Sequence, residues 1–478
     1  MPHTTFNRAA LFSTLSSALL TLAASAQAPT QAPTQAPTSR PATPRTPGPI
    51  VPPPTATPAT AQPALPPPVT VSEQRFRDLG REVRARGAIN SSLENDLRAL
   101  ATALDTDLSA PTTSREMMMR LLPARAQVAV WLADDAAIDA AFSKLLEVNP
   151  TSEVAALSWA RELIAAARFE KAVEVLRARP FTSRAIDANI ALGEALTGIH
   201  QFDNAQAALN TAPGGRSPEQ QQAISKGTFR TQRLRELWEK ELVAMGRDQD
   251  RGDLPVVEFV TAHGPIAIEL FEDQAPNTVS SFIEHVEAGH YDGTTFHRAL
   301  RGLGIQGGDP ATATGAAGGK STGGWTIPDE VERADRRAPL AGRLVTAKQS
   351  PATGAPEQPV PNSAGAQFVV LFAPSEDLDG RYTVFGRVLE GMDTARMLGP
   401  SDGIVTARVV SKRGHDYKAV RLSEAAEGNY RMPRSKAEGG NGTQPAATPS
   451  ATSLTAPTAG SPVINLGAGA GPTVNTPK

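Results

Sequence analysis

Apolar residues recur at a helical period through the first half of the chain and at a period of two through much of the second. Thr70 and Glu73 have capping-box spacing, and Phe76, Leu79 and Val83 follow at intervals of three and four, predicting a helix that Gly87 stops. Ser91 with Glu94 opens a second helix, in which Leu93, Leu97, Leu100 and Leu104 form one stripe. Thr113 with Glu116 opens a third, which Pro123 is expected to kink or end because proline supplies no amide. Its Met117, Met118 and Met119 read as core filler. Ser217-Pro218 starts a later helix with proline at the tolerated first position, and its Leu234, Leu237, Trp238 and Leu242 face is expected to cap the helical region. From Val257 the period changes: Val257 and Phe259, then Ile266, Ile268 and Leu270, alternate about a His263-Gly264 turn. Ala275-Pro276-Asn277 leads into a helix with Val279, Phe282, Ile283 and Val286 inward, strands follow as far as Gly386, and Met392 to Leu398 is a second short helix.

A weak repeat lies inside the helical half. Arg168-Phe169-Glu170-Lys171-Ala172 returns as Gln201-Phe202-Asp203-Asn204-Ala205, and Ala160, Leu163, Leu176 and Pro180 map onto Gly193, Leu196, Leu209 and Pro213, each 33 residues later. An earlier partial copy ends in Leu145-Leu146-Glu147-Val148-Asn149-Pro150. The period, with small residues where two helices touch and a proline closing each pair, resembles tetratricopeptide repeats. The resemblance implies an all-α helical solenoid and leaves open whether it is a groove for a partner protein or a spacer.

Length and composition divide the rest. A chain of 478 residues is too long for one core, and its 41 prolines and 39 glycines concentrate outside the periodic stretches. Residues 1–26 read as a signal peptide: Arg8 is the basic start, Ala9 to Ala23 is apolar, and Ala24-Ser25-Ala26 fits the small-x-small exit. Export to the periplasm, the envelope or the medium is expected, without stable membrane insertion, because Ser13, Thr14, Ser16 and Ser17 interrupt a stretch already short for a span. Residues 27–69, with three copies of Gln-Ala-Pro-Thr, read as an extended tether, and residues 424–478 as a disordered tail. Between them the boundaries are a helical repeat domain at 70–246, a charged hinge at 247–253 and a second domain at 254–423. A net charge of −2 gives no reason to expect nucleic acid as partner. The absence of cysteine removes thiol chemistry and zinc-thiolate sites, and His285, His290 and His297 lack the i, i+4 pairing of a helical zinc motif, so neither a metal nor a cofactor is expected.

The candidate chemistry sits in the second domain. Phe296-His297-Arg298 is followed by Ile305-Gln306-Gly307-Gly308-Asp309, then by Gly315 to Ser321, Pro328-Asp329-Glu330, Asn362 to Phe368, and Leu378-Asp379-Gly380-Arg381-Tyr382 running on to Gly386. An arginine, a glutamine and a glycine turn, with no nucleophile or metal set, suit a site that binds and polarises. The Gly319-Lys320-Ser321 run is not a phosphate loop, since that motif needs a glycine at position 314, which is Thr314. In order and spacing these motifs resemble the cyclophilin family of peptidyl-prolyl cis-trans isomerases, most closely its bacterial members, over Leu254 to Ser423. The resemblance implies a closed antiparallel β-barrel with two helices, and isomerisation of X-Pro bonds in proline-containing peptides or unfolded exported proteins. It makes Arg298 and Gln306 the catalytic pair. It places Phe296, Leu303, Gly304, Ala347, Lys348, Gln367, Val369, Leu378 and Tyr382 at the substrate, and His297 inside the domain. Several apolar positions depart from the family: Leu303 and Gly304 stand for phenylalanine and methionine, Val369 for phenylalanine, Asp377 for tryptophan, and Tyr382 for a frequent histidine. Prolines 351, 356, 359 and 361 fill an insertion at 349–361 beside them. Two readings follow, an exported folding catalyst and a proline-binding module of weak or lost activity built on a helical scaffold.

Overall fold

The computed structural model describes residues 70–87, 89–211, 216–349 and 359–424. The expected signal peptide, tether and tail, together with Pro213 and most of the 349–361 insertion, lie outside the described residues. Nine helices are described first. Helix α1 (Val71–Arg86) carries the expected capping box, with Thr70 and Glu73 exchanging bonds of 2.8 and 3.1 Å, and Gly87 closes it at φ 64°. The caps of α2 (Ser91–Ser109) and α3 (Arg115–Leu132) are Asn90 and Ser114 rather than Ser91 and Thr113, each side chain accepting an amide one turn on. Pro123 does not end α3: it lies on a face with buried Leu121, Leu122, Ala126 and Val128, and that packing outweighs one missing amide.

The next helices, α4 (Asp135–Val148), α5 (Glu153–Ala165), α6 (Phe169–Arg177), α7 (Ala185–Gly198) and α8 (Phe202–Asn210), stack as pairs in which one turn geometry recurs. Ala133, Ala167 and His200 all take positive φ, at 54°, 58° and 61°, and the amide after each reaches back to the carbonyl of Ala129, Leu163 or Leu196 at 3.0, 2.8 and 2.9 Å. These helix C-terminal closures normally favour glycine. Gly193 must be small, because a Cβ there would lie 2.7 Å from Leu209 Cγ on the paired helix. Helix α9 (Pro218–Arg251) opens with the Ser217–Gln220 capping box and runs through most of the segment expected to be a hinge. Asp248 there is not a solvated charge: it is buried and accepts from Arg337 at 2.7 Å. The α9 face does more than cap the helices, since Leu234 and Leu237 pack between Phe202 of α8 and Ala338 and Leu340 of the second region, while Leu242 is exposed. No described helix is long and apolar enough to cross a membrane.

The second region is a sheet with helices. Strands β1 (Val256–Thr261), β2 (Gly264–Leu270), β3 (Arg298–Leu300), β4 (Gly304–Gly307), β6 (Arg343–Thr346), β7 (Phe368–Leu371), β8 (Val384–Glu390) and β9 (Ile404–Ser411) form one antiparallel sheet, in the order β3-β4-β7-β6-β8-β2-β1-β9. Strand β5 (Trp325–Thr326) pairs separately with β10 (Ser423–Glu424), and α10 (Pro276–Glu287) and α11 (Met392–Met397) are the two expected helices. The sheet is a half-barrel, which corrects the expectation of a closed one. Bulges in the β1–β9, β2–β8 and β6–β8 ladders curl it, but β3 has only three residues, and its edges meet through an isolated bridge from Thr295 to Gly403 and the backbone bonds between residues 293–296 and 401–404 rather than through a strand ladder. One face buries Phe259 and Phe368, with Tyr291 and Phe296, against Phe282 of α10; the other carries a smaller cluster of Leu254, Phe271, Val345, Val369, Leu371 and Val384.

Candidate active site

The β3–β4 hairpin sets the two polar residues. Arg298 is the cross-strand partner of Gln306, Gln306 of Val369, and Val369 of Val345. Direct cross-strand partners share a face, so a row runs from a guanidinium through an amide onto an apolar floor. Two residues along, Leu300, Gly304 and Leu371 form a second row on the same face. Leu303, Ala347, Leu378 and Tyr382 pack around the floor as a half-buried rim. Burial pushes the Tyr382 hydroxyl above its ordinary pKa, which keeps it neutral. Among the described residues the exposed Arg298 guanidinium makes no hydrogen bond or ion pair.

A second, polar wall meets the row at Gln306. Its Nε2 donates to Gln367 Oε1 at 3.0 Å, and Gln367 Nε2 donates to Ser321 O at 2.7 Å. Asp309 is wholly buried and accepts the amides of Gly319, Lys320 and Ser321 at 2.6, 3.0 and 3.1 Å. The amides of the Gly319-Lys320-Ser321 run are therefore bonded to a carboxylate of the protein itself. Gly308 makes this turn at φ 80°, and a Cβ there would lie 2.7 Å from Ala366 O. Between this loop and Ala347 a small polar cleft opens beside Gln306 and Gln367. Ala347 borders it with its amide bonded to Gln367 O at 3.0 Å. The Lys348 ammonium turns away into a buried pair with Asp329 at 2.7 Å and a bond to Arg381 O, so only its backbone is left to the cleft.

Most of the expected residues thus come together: Arg298 and Gln306 on the row, Leu303, Ala347, Val369, Leu378 and Tyr382 at the floor and rim, Gln367 on the polar wall. Phe296 does not join them. It is 1% exposed on the opposite face, edge-on to Phe368 at 6.4 Å, because it stands before β3 begins, where strand alternation does not carry it to the side of Arg298. Gly304 contributes only space, since a Cβ would fall 2.1 Å from Val370 O. His297 lies half-buried under the glycine-rich loop, and burial lowers its pKa. Two participants escaped the sequence reading. Asp309 was visible in its motif but had no assigned task, and Phe271, the floor's fully buried ring, stands just past β2 with nothing local to single it out.

Residues 256–412 match the family model described as cyclophilin type peptidyl-prolyl cis-trans isomerase/CLD. The Arabidopsis thaliana peptidyl-prolyl cis-trans isomerase CYP18-2 is 35% identical over 170 residues, covering 36% of this chain and 93% of that protein. Peptidyl-prolyl cis-trans isomerase-like 1 of Mus musculus is 39% identical over 145 residues, 30% of this chain and 80% of the mouse protein. Among solved structures, a Cryptosporidium parvum cyclophilin type isomerase is 28% identical, covering 34% of this chain and 99% of its own, at a TM-score of 0.28.

Proposed function

Because the chain belongs to the cyclophilin-type peptidyl-prolyl cis-trans isomerases, we propose that Arg298 and Gln306 are the groups with which it turns prolyl bonds. The reaction needs no covalent step. An amide resists rotation by about 18 to 20 kcal/mol because its nitrogen lone pair is conjugated, and the barrier falls when that lone pair is held out of conjugation in the twisted state. The observation that carries the assignment is Arg298: an exposed cation without a partner among the described residues, paired in register with Gln306 at the edge of an apolar floor. The proline ring rests on Val369, Leu303, Leu378 and Tyr382. The guanidinium bonds the prolyl carbonyl and comes near the prolyl nitrogen as it pyramidalises. Backbone at Ala347 and Lys348, with Gln367, takes the residue before proline. Aliphatic residues at this floor keep the surface apolar. Arg298→Ala removes a charge-assisted contact made chiefly in the twisted state, worth about 2 to 4 kcal/mol, and should lower kcat/KM on X-Pro peptides roughly a hundredfold with the fold intact. Unchanged kcat/KM would leave the proline-binding module as the better reading.

The setting is proposed as extracytoplasmic, supported by the signal-like residues 1–26. Mass spectrometry of the exported protein is expected to find a chain starting near Gln27; an intact Met1 in a membrane fraction would contradict it. The helical pairs are proposed as tetratricopeptide-like, supported by left-handed turns at Ala133, Ala167 and His200, spaced by 34 and 33 residues.

A further inference from the structure

The helical region touches the sheet at the segments that carry the site. The β3–β4 turn, Arg301-Gly302-Leu303, stands on the end of α5. Arg301 Nη2 reaches Glu162 Oε2 at 3.1 Å and Asp135 Oδ1 at 2.9 Å. Gly302, at φ 77°, comes so close that a Cβ would lie 2.3 Å from Ala165 O. Arg298 and Gln306 are the residues four before and four after this glycine. The Glu162 side chain is 5% exposed, and burial pushes its pKa up against the pull of Arg301.

A second brace lies at the rim. Arg230 of α9 donates to Glu376 at 2.9 Å and Arg233 to Asp379 at 2.7 Å, and Leu378 is held between them. A third lies under the floor. The Arg337 guanidinium sits 3.7 Å from the Phe271 ring centre and is fixed there by Glu241 and Asp248 of α9.

We propose that the helical region is a positioning element of the isomerase, with Arg301 its main positioning residue, holding the hairpin that sets Arg298 and Gln306 against the floor. A hairpin of three and four residues at the edge of an open sheet has few bonds of its own, and its outer strand is paired on one side only. Displacement of reacting groups by about 1 Å costs on the order of a hundredfold in rate, so such a hairpin needs an external support. Support from α5 and α4 enters at the turn midway between the two polar residues, where it restrains both. This inference rests on Arg298 and Gln306 as the working pair.

The test uses the full chain and two readouts, isomerisation of an Ala-Pro peptide by NMR exchange and backbone hydrogen exchange. In Arg301→Ala/Glu162→Gln, which leaves no buried charge unpaired, kcat should fall about tenfold with KM within about twofold. The amides of His297 and Leu303, bonded across the hairpin to Gln306 O and Leu300 O, should exchange at least about tenfold faster, while those of β1 and β2 keep their protection. Arg301→Lys, which keeps the charge and loses the fork, should fall between. Hairpin exchange at the wild-type rate overturns the inference, and so does faster exchange with unchanged kcat. An inactive wild-type chain would sink the assignment of Arg298 instead, while hydrogen exchange would still decide whether the hairpin is braced. Should the double variant melt as a whole, Asp135→Asn, which removes the more exposed partner, gives the same pair of readouts at smaller amplitude.

Discussion

Glu153 organises the start of the following helix pair. It accepts five hydrogen bonds, from the amides of Thr182, Ser183 and Arg184 and the hydroxyls of Thr182 and Ser183. The Thr182 hydroxyl and amide lower its pKa to about 2, from an ordinary value of 4.5. A depressed carboxylate contributes stability that is complete above its unfolded pKa and is lost as pH falls through the folded one. Denaturant titrations should therefore show stability falling from about pH 4.5 towards pH 2, with a shallower fall in Glu153→Gln and lower stability for that variant at neutral pH. Equal slopes would show that the carboxylate is not the group titrating. Single residues differ in how far they can be read in advance. Arg298 and Gln306 were legible because motif spacing survives folding, and the sheet puts them in register. Glu153 and Arg301 were not, because a charge on a helix or in a turn is usually solvated, and only the fold shows what it meets.

Among elements, the local signals carried well. The Thr70–Glu73 capping box, proline at the first helical position, glycine stops and periodicity located α1, α9, α10 and the β1–β2 hairpin, because each depends on neighbours within a few residues. Two of the failures share one cause, competition from contacts made at long range. Pro123 is expected to kink or end α3, and the helix continues past it with that face buried. Residues 247–253 were expected to be a hinge; α9 instead runs through most of them, and the Arg337–Asp248 pair buries Asp248 while its charged neighbours stay exposed. Barrel closure depends on how much of β3 can pair, and its three-residue length leaves the sheet open. The turns at Ala133, Ala167 and His200 recur because they are local: each closes with an amide bonded to a carbonyl five residues back.

For the whole molecule, the seam between helices and sheet is the feature that sequence patterning could not show. Arg337 and Glu241 are 96 residues apart, and Arg301 and Glu162 are 139 apart. The Glu241, Arg337, Asp248 and Arg343 side chains are all nearly inaccessible, at 1, 1, 5 and 7%. Burial alone would raise the Glu241 pKa, but Arg343 and Arg337 outweigh it and hold the carboxyl below its ordinary value. Breaking one partner of a buried pair costs about 3 to 5 kcal/mol, so Glu241→Gln should lower the midpoint of helix and sheet signals together. Lys144→Ala, from an exposed pair, should cost less than about 1 kcal/mol. Separate shifts of the two signals in Glu241→Gln would show that the seam does not couple the regions.

The most direct test of the account is NMR exchange between the cis and trans signals of an Ala-Pro peptide mixed with the full chain. Wild type should give exchange cross-peaks faster than the unaided rate, which is tens of seconds per turnover. Arg298→Ala should keep the binding-induced shifts of the proline signals and lose the exchange. Equal exchange in wild type and Arg298→Ala, with binding retained in both, would contradict the claim that this guanidinium turns the prolyl bond.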